Sequence, residues 1–353
     1  MPLRGSLAAW DFVRHRQFLL SPLSVRAIVD IEFRNSCPQI VRDLVDAKIL
    51  VEESLAETPI WSWDIQSKIF HFGTLRSKPE AFESDAFQRA REYVEYCNSI
   101  LKDIPDDCFA TISGAGEIPV DEVENPILRI LTDLLDRRRS NRTFSGESLR
   151  FSDVSTVVDQ TFRYRPHDKE AYRKMGMTTP TARRSSPSGG SLQSCEGYLI
   201  ARKVSNFETG VFHFRSHQRT FGFISALPPD FSFGALFGGQ FFADDLSAAI
   251  VITCRFDKLM WKYKHSHSYR VALFDAGHLS QKMQLIATAL GIRTWVTAAF
   301  YDDELRSALR ISASSSEYPL LVVGLGTGPI NPFDIHLGEG FFNQDVAKAN
   351  DQK

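Results

Sequence analysis

The run AAIVITCRF, residues 248 to 256, most narrows what this chain can fold into. Its apolar residues follow one another with almost no polar alternation, so a strand made of them needs cover on both faces and belongs inside a packed sheet. YPLLVVGLG, residues 318 to 326, is a second run of this kind. Between them lies DAGHLSQKMQLIATALG, where Leu279, Met283, Ile286 and Leu290 keep helical spacing from Asp275 to a stop at Gly291. EGYLIARKV and GVFHFRS read as further strands, and no internal repeat is visible. The pattern predicts an α+β domain, a mixed sheet flanked by helices. Asn125 and Pro126 form an N-cap and first-turn pair ahead of the stripe Ile127, Leu128, Leu131, Leu134 and Leu135, so this larger domain is set at residues 123–353.

Upstream, Pro22 suits an early helical position after Ser21, and Ile40, Leu44 and Val45 keep helical spacing before the strand-like KILVEE. In IWSWDIQSKIFHFGT, Trp61, Trp63 and Ile65 alternate with polar neighbours, which predicts a hairpin turning at Gln66 to Lys68. Helices leading into such a hairpin suggest a small winged-helix-like module over residues 1–75, suited to peptide binding or domain packing. Residues 76–122 read as a helical connection containing SDAFQRAREYVEYCNSILKDI. With 41 basic against 43 acidic side chains, there is no general field for nucleic acid or an anionic membrane. No signal peptide and no apolar run of membrane-spanning length is present, which predicts a soluble, cytoplasmic protein. The five cysteines, Cys37, Cys97, Cys108, Cys195 and Cys254, are widely spaced without a CxxC and read as free thiols rather than disulfides or zinc ligands. No metal site is expected, and His265 and His267 lack a third ligand until His278.

Three stretches could carry chemistry. RRSNRTF, residues 138 to 144, puts arginines at a helix end, where they either complement the macrodipole or bind an anion. RRSSPSGGS, residues 183 to 191, joins two arginines to three serines, with Pro187 fixing a turn and Gly189 and Gly190 permitting close backbone approach. MWKYKHSHSYRVALFDAGH, residues 260 to 278, gathers Lys262, Tyr263, Lys264, His265, His267 and Tyr269, a dense set of proton-transfer groups or a polar surface loop. GLGTGP, residues 324 to 329, looks like a dinucleotide fingerprint, but Pro329, Asn331 and Pro332 bar the helix that a pyrophosphate would need.

Together these stretches resemble a known family. RRSNRTF resembles the RRSxRxF opening of nitroreductase-like FMN enzymes, SPSGG the flavin loop of their SagB-type branch, and WKYKHSHSYRVALFDAGHLSQ that branch's KYxxxxYRxxxxDAGHxxQ signature. The likeness covers roughly residues 126 to 330 and is narrowed to the SagB-related peptide-maturation dehydrogenases, the upstream module fitting chiefly through WSWDIQSKIFHF. It implies a homodimeric α+β flavoprotein with one FMN at each of two subunit interfaces. By resemblance, Arg138, Arg139, Ser140 and Arg142 bind the FMN phosphate and ribityl chain, and Ser186, Pro187, Ser188, Gly189 and Gly190 lie along the ring and sugar.

In azoline-oxidising relatives a Lys-Tyr pair serves proton abstraction, and Lys262 and Tyr263 occupy the matching positions. The implied function is oxidation of a residue or azoline in a ribosomally made peptide, with hydride passing to flavin N5 and a proton to a base. Neighbours sit on opposite faces of a strand, so the pair needs a loop or turn to act together. Its partners would be the peptide and other peptide-modifying enzymes. The family commonly has an aliphatic-aromatic-proline step after the second glycine, whereas this chain reads SLQSCE, so its pocket wall differs and Cys195 comes near the cofactor as a buried structural thiol. Two alternatives stand beside this reading: a reductase of dehydroamino acids or other small electrophiles using NAD(P)H, and a non-catalytic peptide-binding subunit.

Overall fold

The computed structural model describes residues 2–3, 6–11, 16–50, 61–78, 86–100, 119–121, 123–165, 174 and 183–329. Its first elements are a small antiparallel sheet, β1 (Pro2–Leu3), β2 (Ser6–Asp11) and β3 (Arg16–Leu20). Three short helices follow, α1 (Pro22–Val29), α2 (Ile31–Ser36) and α3 (Pro38–Asp46). Ser21 caps α1 through the Ser24 amide, and Pro22 stands in its first turn as expected.

The hairpin expected at residues 61–72 does not form. Asp64 accepts the Ser67 amide at 2.9 Å and caps a helix, α4 (Ile65–Thr74), so an N-cap signal was hidden inside an apparent strand alternation. The strand pairing of this region sits instead ahead of the helices, which reverses the order expected for a winged-helix unit. The strand expected over residues 48–53 lies partly outside the described residues; its first three residues form a turn and two bends. The predicted connecting helix is present as α5 (Ala86–Ile100), while residues 101–118, with Cys108, lie outside.

The larger domain begins with α6 (Pro126–Arg137), capped by the Asn125 side chain on the amides of Ile127 and Leu128. After β4 (Leu149–Arg150) and α7 (Phe151–Phe162) come β5 (Cys195–Ala201), β6 (Val204–Ser205), β7 (Gly210–Arg215), β8 (Thr220–Ser225) and α8 (Phe233–Leu236). The chain continues through β9 (Ala248–Arg255), α9 (Phe256–Lys262), α10 (Tyr269–Ala289), β10 (Arg293–Thr297), α11 (Asp302–Ala308) and β11 (Glu317–Gly326). The main sheet has the order β10-β11-β9-β5-β7-β8, with antiparallel neighbours throughout. Parallel pairing is confined to β4 with β6 and to a bridge from Ser140 to Thr294 beside β10.

The position of β9 explains its unbroken apolar run. Ala248, Ile250, Ile252 and Cys254 face a core built with α7 and α10, while Ala249 and Val251 face another built with α8, α11 and Trp295. All are fully buried. α10 begins six residues before Asp275, because Ala272 and Ala276 continue the buried stripe of Leu279 and Met283 toward its N-terminus. Gly291, at φ +75°, ends it as expected. Among the described residues no helix is long and apolar enough to cross a membrane.

Gly197 in β5 lies so close to α7 that an added Cβ would stand 2.6 Å from the Phe162 ring. Gly197→Ala is expected to lower stability by about 1–3 kcal/mol through overpacking. Chemical denaturation reads this directly, and an unchanged midpoint would contradict the packing.

Candidate active site

The RRSNR segment continues from α6. Arg138 caps that helix, its amide donating to Leu134 O. The Arg139 guanidinium folds back onto the carbonyls of Asp136 and Arg138, as the macrodipole reading of a helix end requires. Asn141 is buried and stitches the segment down, donating its amide to Thr294 O at 2.8 Å and its side chain to Pro329 O at 3.1 Å. Ser145 donates its amide to Thr327 O. The turn in GLGTGP therefore latches the arginine segment, consistent with a structural rather than a dinucleotide role. Arg138 and Arg142 have no ion-pair partner among the described residues. Two guanidinium groups without carboxylates, next to Ser140, form a donor set with the chemistry of a phosphate seat.

The SPSGG loop is built around Asp275 of α10. The Ser188 hydroxyl donates to Asp275 Oδ2 at 2.6 Å while accepting the Gln193 amide at 3.0 Å, and the Gly189 amide donates to Asp275 Oδ1 at 3.2 Å. Burial raises the Asp275 carboxyl, and those two hydrogen bonds oppose the shift. Ser186 is buried below the loop and Pro187 is exposed at its rim. Gly190 adopts φ +58°, and an added Cβ there would stand 2.5 Å from Tyr263 Oη and 2.6 Å from Lys262 Nζ. Only glycine fits both that backbone and that close approach.

Lys262 and Tyr263 thus converge on the flavin-type loop. Lys262 Nζ donates to Gly190 O at 2.9 Å. The expected loop is in fact a helix end: Lys262 is the last residue of α9, and Tyr263 leaves it in an extended conformation with φ −107° and ψ 123°. That break in regular geometry lets adjacent residues reach one place. A cleft of about 520 Å³ lies on another side of α9, lined in part by Arg255, Met260, Trp261 and Lys264 but by neither Lys262 nor Tyr263.

The arginine segment and the SPSGG loop are not brought together within one chain. The arginines sit where Leu325 pairs with Ala248, whereas Cys195 below the loop pairs with Cys254 at the other end of β9. Six strand steps separate these ends by about 20 Å.

Sequence reasoning missed residues that support the site. Asp275 was visible inside DAGH but carried no role. Glu196 joins Lys258 at 2.9 Å, which ties the first turn of α9 to β5. Burial alone would raise the Glu196 carboxyl, but the His213 imidazole 3.7 Å away and the charges of Lys258 and Arg184 prevail and hold it at about 2. Because the folded value is depressed, its stabilisation is present above the unfolded value near 4.5 and lost as pH falls through about 2. Glu196→Gln is expected to cost on the order of 3 kcal/mol at pH 7, with the gap closing between those limits in denaturation series at several pH values. A gap unchanged at low pH would contradict the assignment. Cys195 and Cys254 are buried and free, and Cys37 is half-buried.

The nitroreductase family model matches residues 135–327, from the arginine segment to the turn that latches it. The chain belongs to the nitroreductase family. Proteins of this family are FMN-binding flavoproteins, and the family points to an oxidoreductase. Among curated relatives, the nitroreductase-like protein MJ1384 of Methanocaldococcus jannaschii is 26% identical over 56% of this chain and 90% of its own length. The trifolitoxin-processing protein TfxB of Rhizobium leguminosarum bv. trifolii is 29% identical over 31% of each chain. The microcin B17-processing protein McbC of Escherichia coli is 26% identical over 41% of this chain and 55% of its own. Among solved structures, the E. coli microcin synthetase complex with a truncated pro-microcin bound is 17% identical, covering 70% of this chain and 95% of that one at a TM-score of 0.48. A nitroreductase-like protein from Desulfovibrio desulfuricans solved with FMN is 15% identical, covering 60% and 90%, at 0.37.

Proposed function

We propose that this protein is an FMN-dependent dehydrogenase of the SagB type that oxidises an azoline, or another residue, in a ribosomally made peptide. The convergence of Lys262 and Tyr263 on Gly190 carries the reading, because it puts proton-transfer groups beside the loop that would face the flavin. The names of the relatives TfxB and McbC, both peptide-processing proteins, support a peptide substrate. When bound, FMN would supply the two-electron acceptor. The chain's own groups do the rest. Gly189 and Gly190 let the loop pack against Val271 and the Lys262–Tyr263 pair, Asp275 holds the loop, and Lys262 or Tyr263 takes the ring proton of the azoline.

A complete flavin site in this reading needs two copies of the chain. The phosphate seat of one copy and the loop of the other meet, since within one chain they stand at opposite ends of β9. Exposed apolar residues of α6, Ile127 at 78% and Ile130 at 73%, and Phe274 of α10 at 63%, supply surface for such an isologous contact. Residues 1–75 then form the module that meets the peptide, 76–122 the connection, and 123–353 the FMN domain.

The test uses flavin-loaded protein and a synthetic peptide carrying one thiazoline, without oxygen. The expected result is bleaching of the flavin band and a product lacking two hydrogens. A flavin that stays oxidised with this peptide, but bleaches with NAD(P)H and passes hydrogen to a dehydroalanine peptide, would replace the dehydrogenase by a reductase.

A further inference from the structure

The backbone that carries Lys262 and Tyr263 is tied to a segment 200 residues upstream. Trp63 Nε1 donates to Tyr263 O at 2.8 Å, satisfying a carbonyl at the C-terminus of α9. The Asp64 carboxyl, which accepts the Ser67 amide at 2.9 Å, is held below the usual carboxylate range by its nearness to Ser266 and by that amide. The Ser62 amide approaches Met260 Sδ at 3.2 Å, and His71 Nδ1 lies 3.0 Å from Tyr269 Oη at the first residue of α10. These bonds anchor residues 260, 263 and 269, which span the corner between α9 and α10.

Aromatic packing stiffens the upstream side. Trp61 stacks on His71 with ring centroids 4.6 Å apart, and Trp63 meets Phe256 edge-on at 6.3 Å. Trp63 and His71 are buried. Core packing alone would need only these apolar faces. The bond from Trp63 goes instead to a backbone carbonyl of the corner, so it fixes the path of the chain while leaving the Lys262 and Tyr263 side chains directed at Gly190.

We infer that residues 61–71 form a brace that sets where Lys262 and Tyr263 stand against the flavin loop, with Trp63 and Asp64 as positioning residues. The inference rests on the proposed proton-transfer role of that pair.

Trp63→Phe keeps an aromatic ring but removes the donor, and Asp64→Asn serves as the second variant should the first fold poorly. With the thiazoline peptide as probe, each is expected to lower kcat about fivefold to tenfold, with KM and FMN content unchanged. Amide exchange across residues 262–268 should quicken by a similar factor while β9 stays protected. In a Lys262→Ala background, Trp63→Phe should add no further loss, because both act through one group. If Lys262→Ala abolishes turnover while both brace variants keep full kcat and slow exchange, or their losses multiply with it, the brace is wrong and the pair stands. If Lys262→Ala keeps full turnover, the pair falls instead, and unchanged exchange in the corner would remove the brace as well.

Discussion

Lys262→Ala is expected to reduce oxidation of a thiazoline peptide about 10²- to 10⁴-fold, the range of a positioned proton-transfer group, without loss of FMN. Lys262 Nζ lies on Gly190 O, in the loop proposed to face the flavin, so removing it takes away chemistry rather than the fold. Tyr263→Phe should cost less if the lysine takes the proton and as much if the hydroxyl does, which separates their roles. Rapid-mixing measurement of flavin bleaching isolates the chemical step from product release. Full bleaching rates in Lys262→Ala would end the assignment.

The second large effect concerns the cofactor. Replacing both Arg138 and Arg142 by alanine removes two charge-assisted contacts worth about 1.5–3 kcal/mol each, so FMN affinity should fall by at least a hundredfold. Gly190→Val should also exclude the flavin, from the other end of the site. Mixed and refolded together, these two inactive variants are expected to regain about a quarter of the wild-type flavin, because half of random dimers are mixed and each mixed dimer holds one undamaged site. No recovery in mixed dimers would place both residue sets in one chain's site.

The larger domain was legible because its signals are strong and local. β9 had to be buried on both faces, Asn125 and Pro126 announced α6, and Gly291 ended α10. The upstream region was misread where two signals competed: Trp61, Trp63 and Ile65 alternate like a strand, but Asp64 and Ser67 make a helix cap, and the cap prevails. The start of α10 was missed because Tyr269 and Arg270 look like loop polarity, while Ala272 and Ala276, which bury that turn, are too small to mark a stripe. At the site, motif order pointed to the arginines, the loop and the Lys-Tyr pair. It did not reveal that the loop and the pair meet while the arginines lie at the far end of the sheet, because separation in space follows from strand register rather than from residue type. The bond from Trp63 was equally hidden, since nothing in the sequence links residue 63 to residue 263.

The most direct measurement is the visible absorption spectrum of the purified protein, with the cofactor released and identified by mass. The account predicts a flavin band and FMN in the extract, at one per chain in a dimer. A colourless protein that also fails to take up added FMN would contradict it, and leave a nitroreductase fold serving as a binding scaffold.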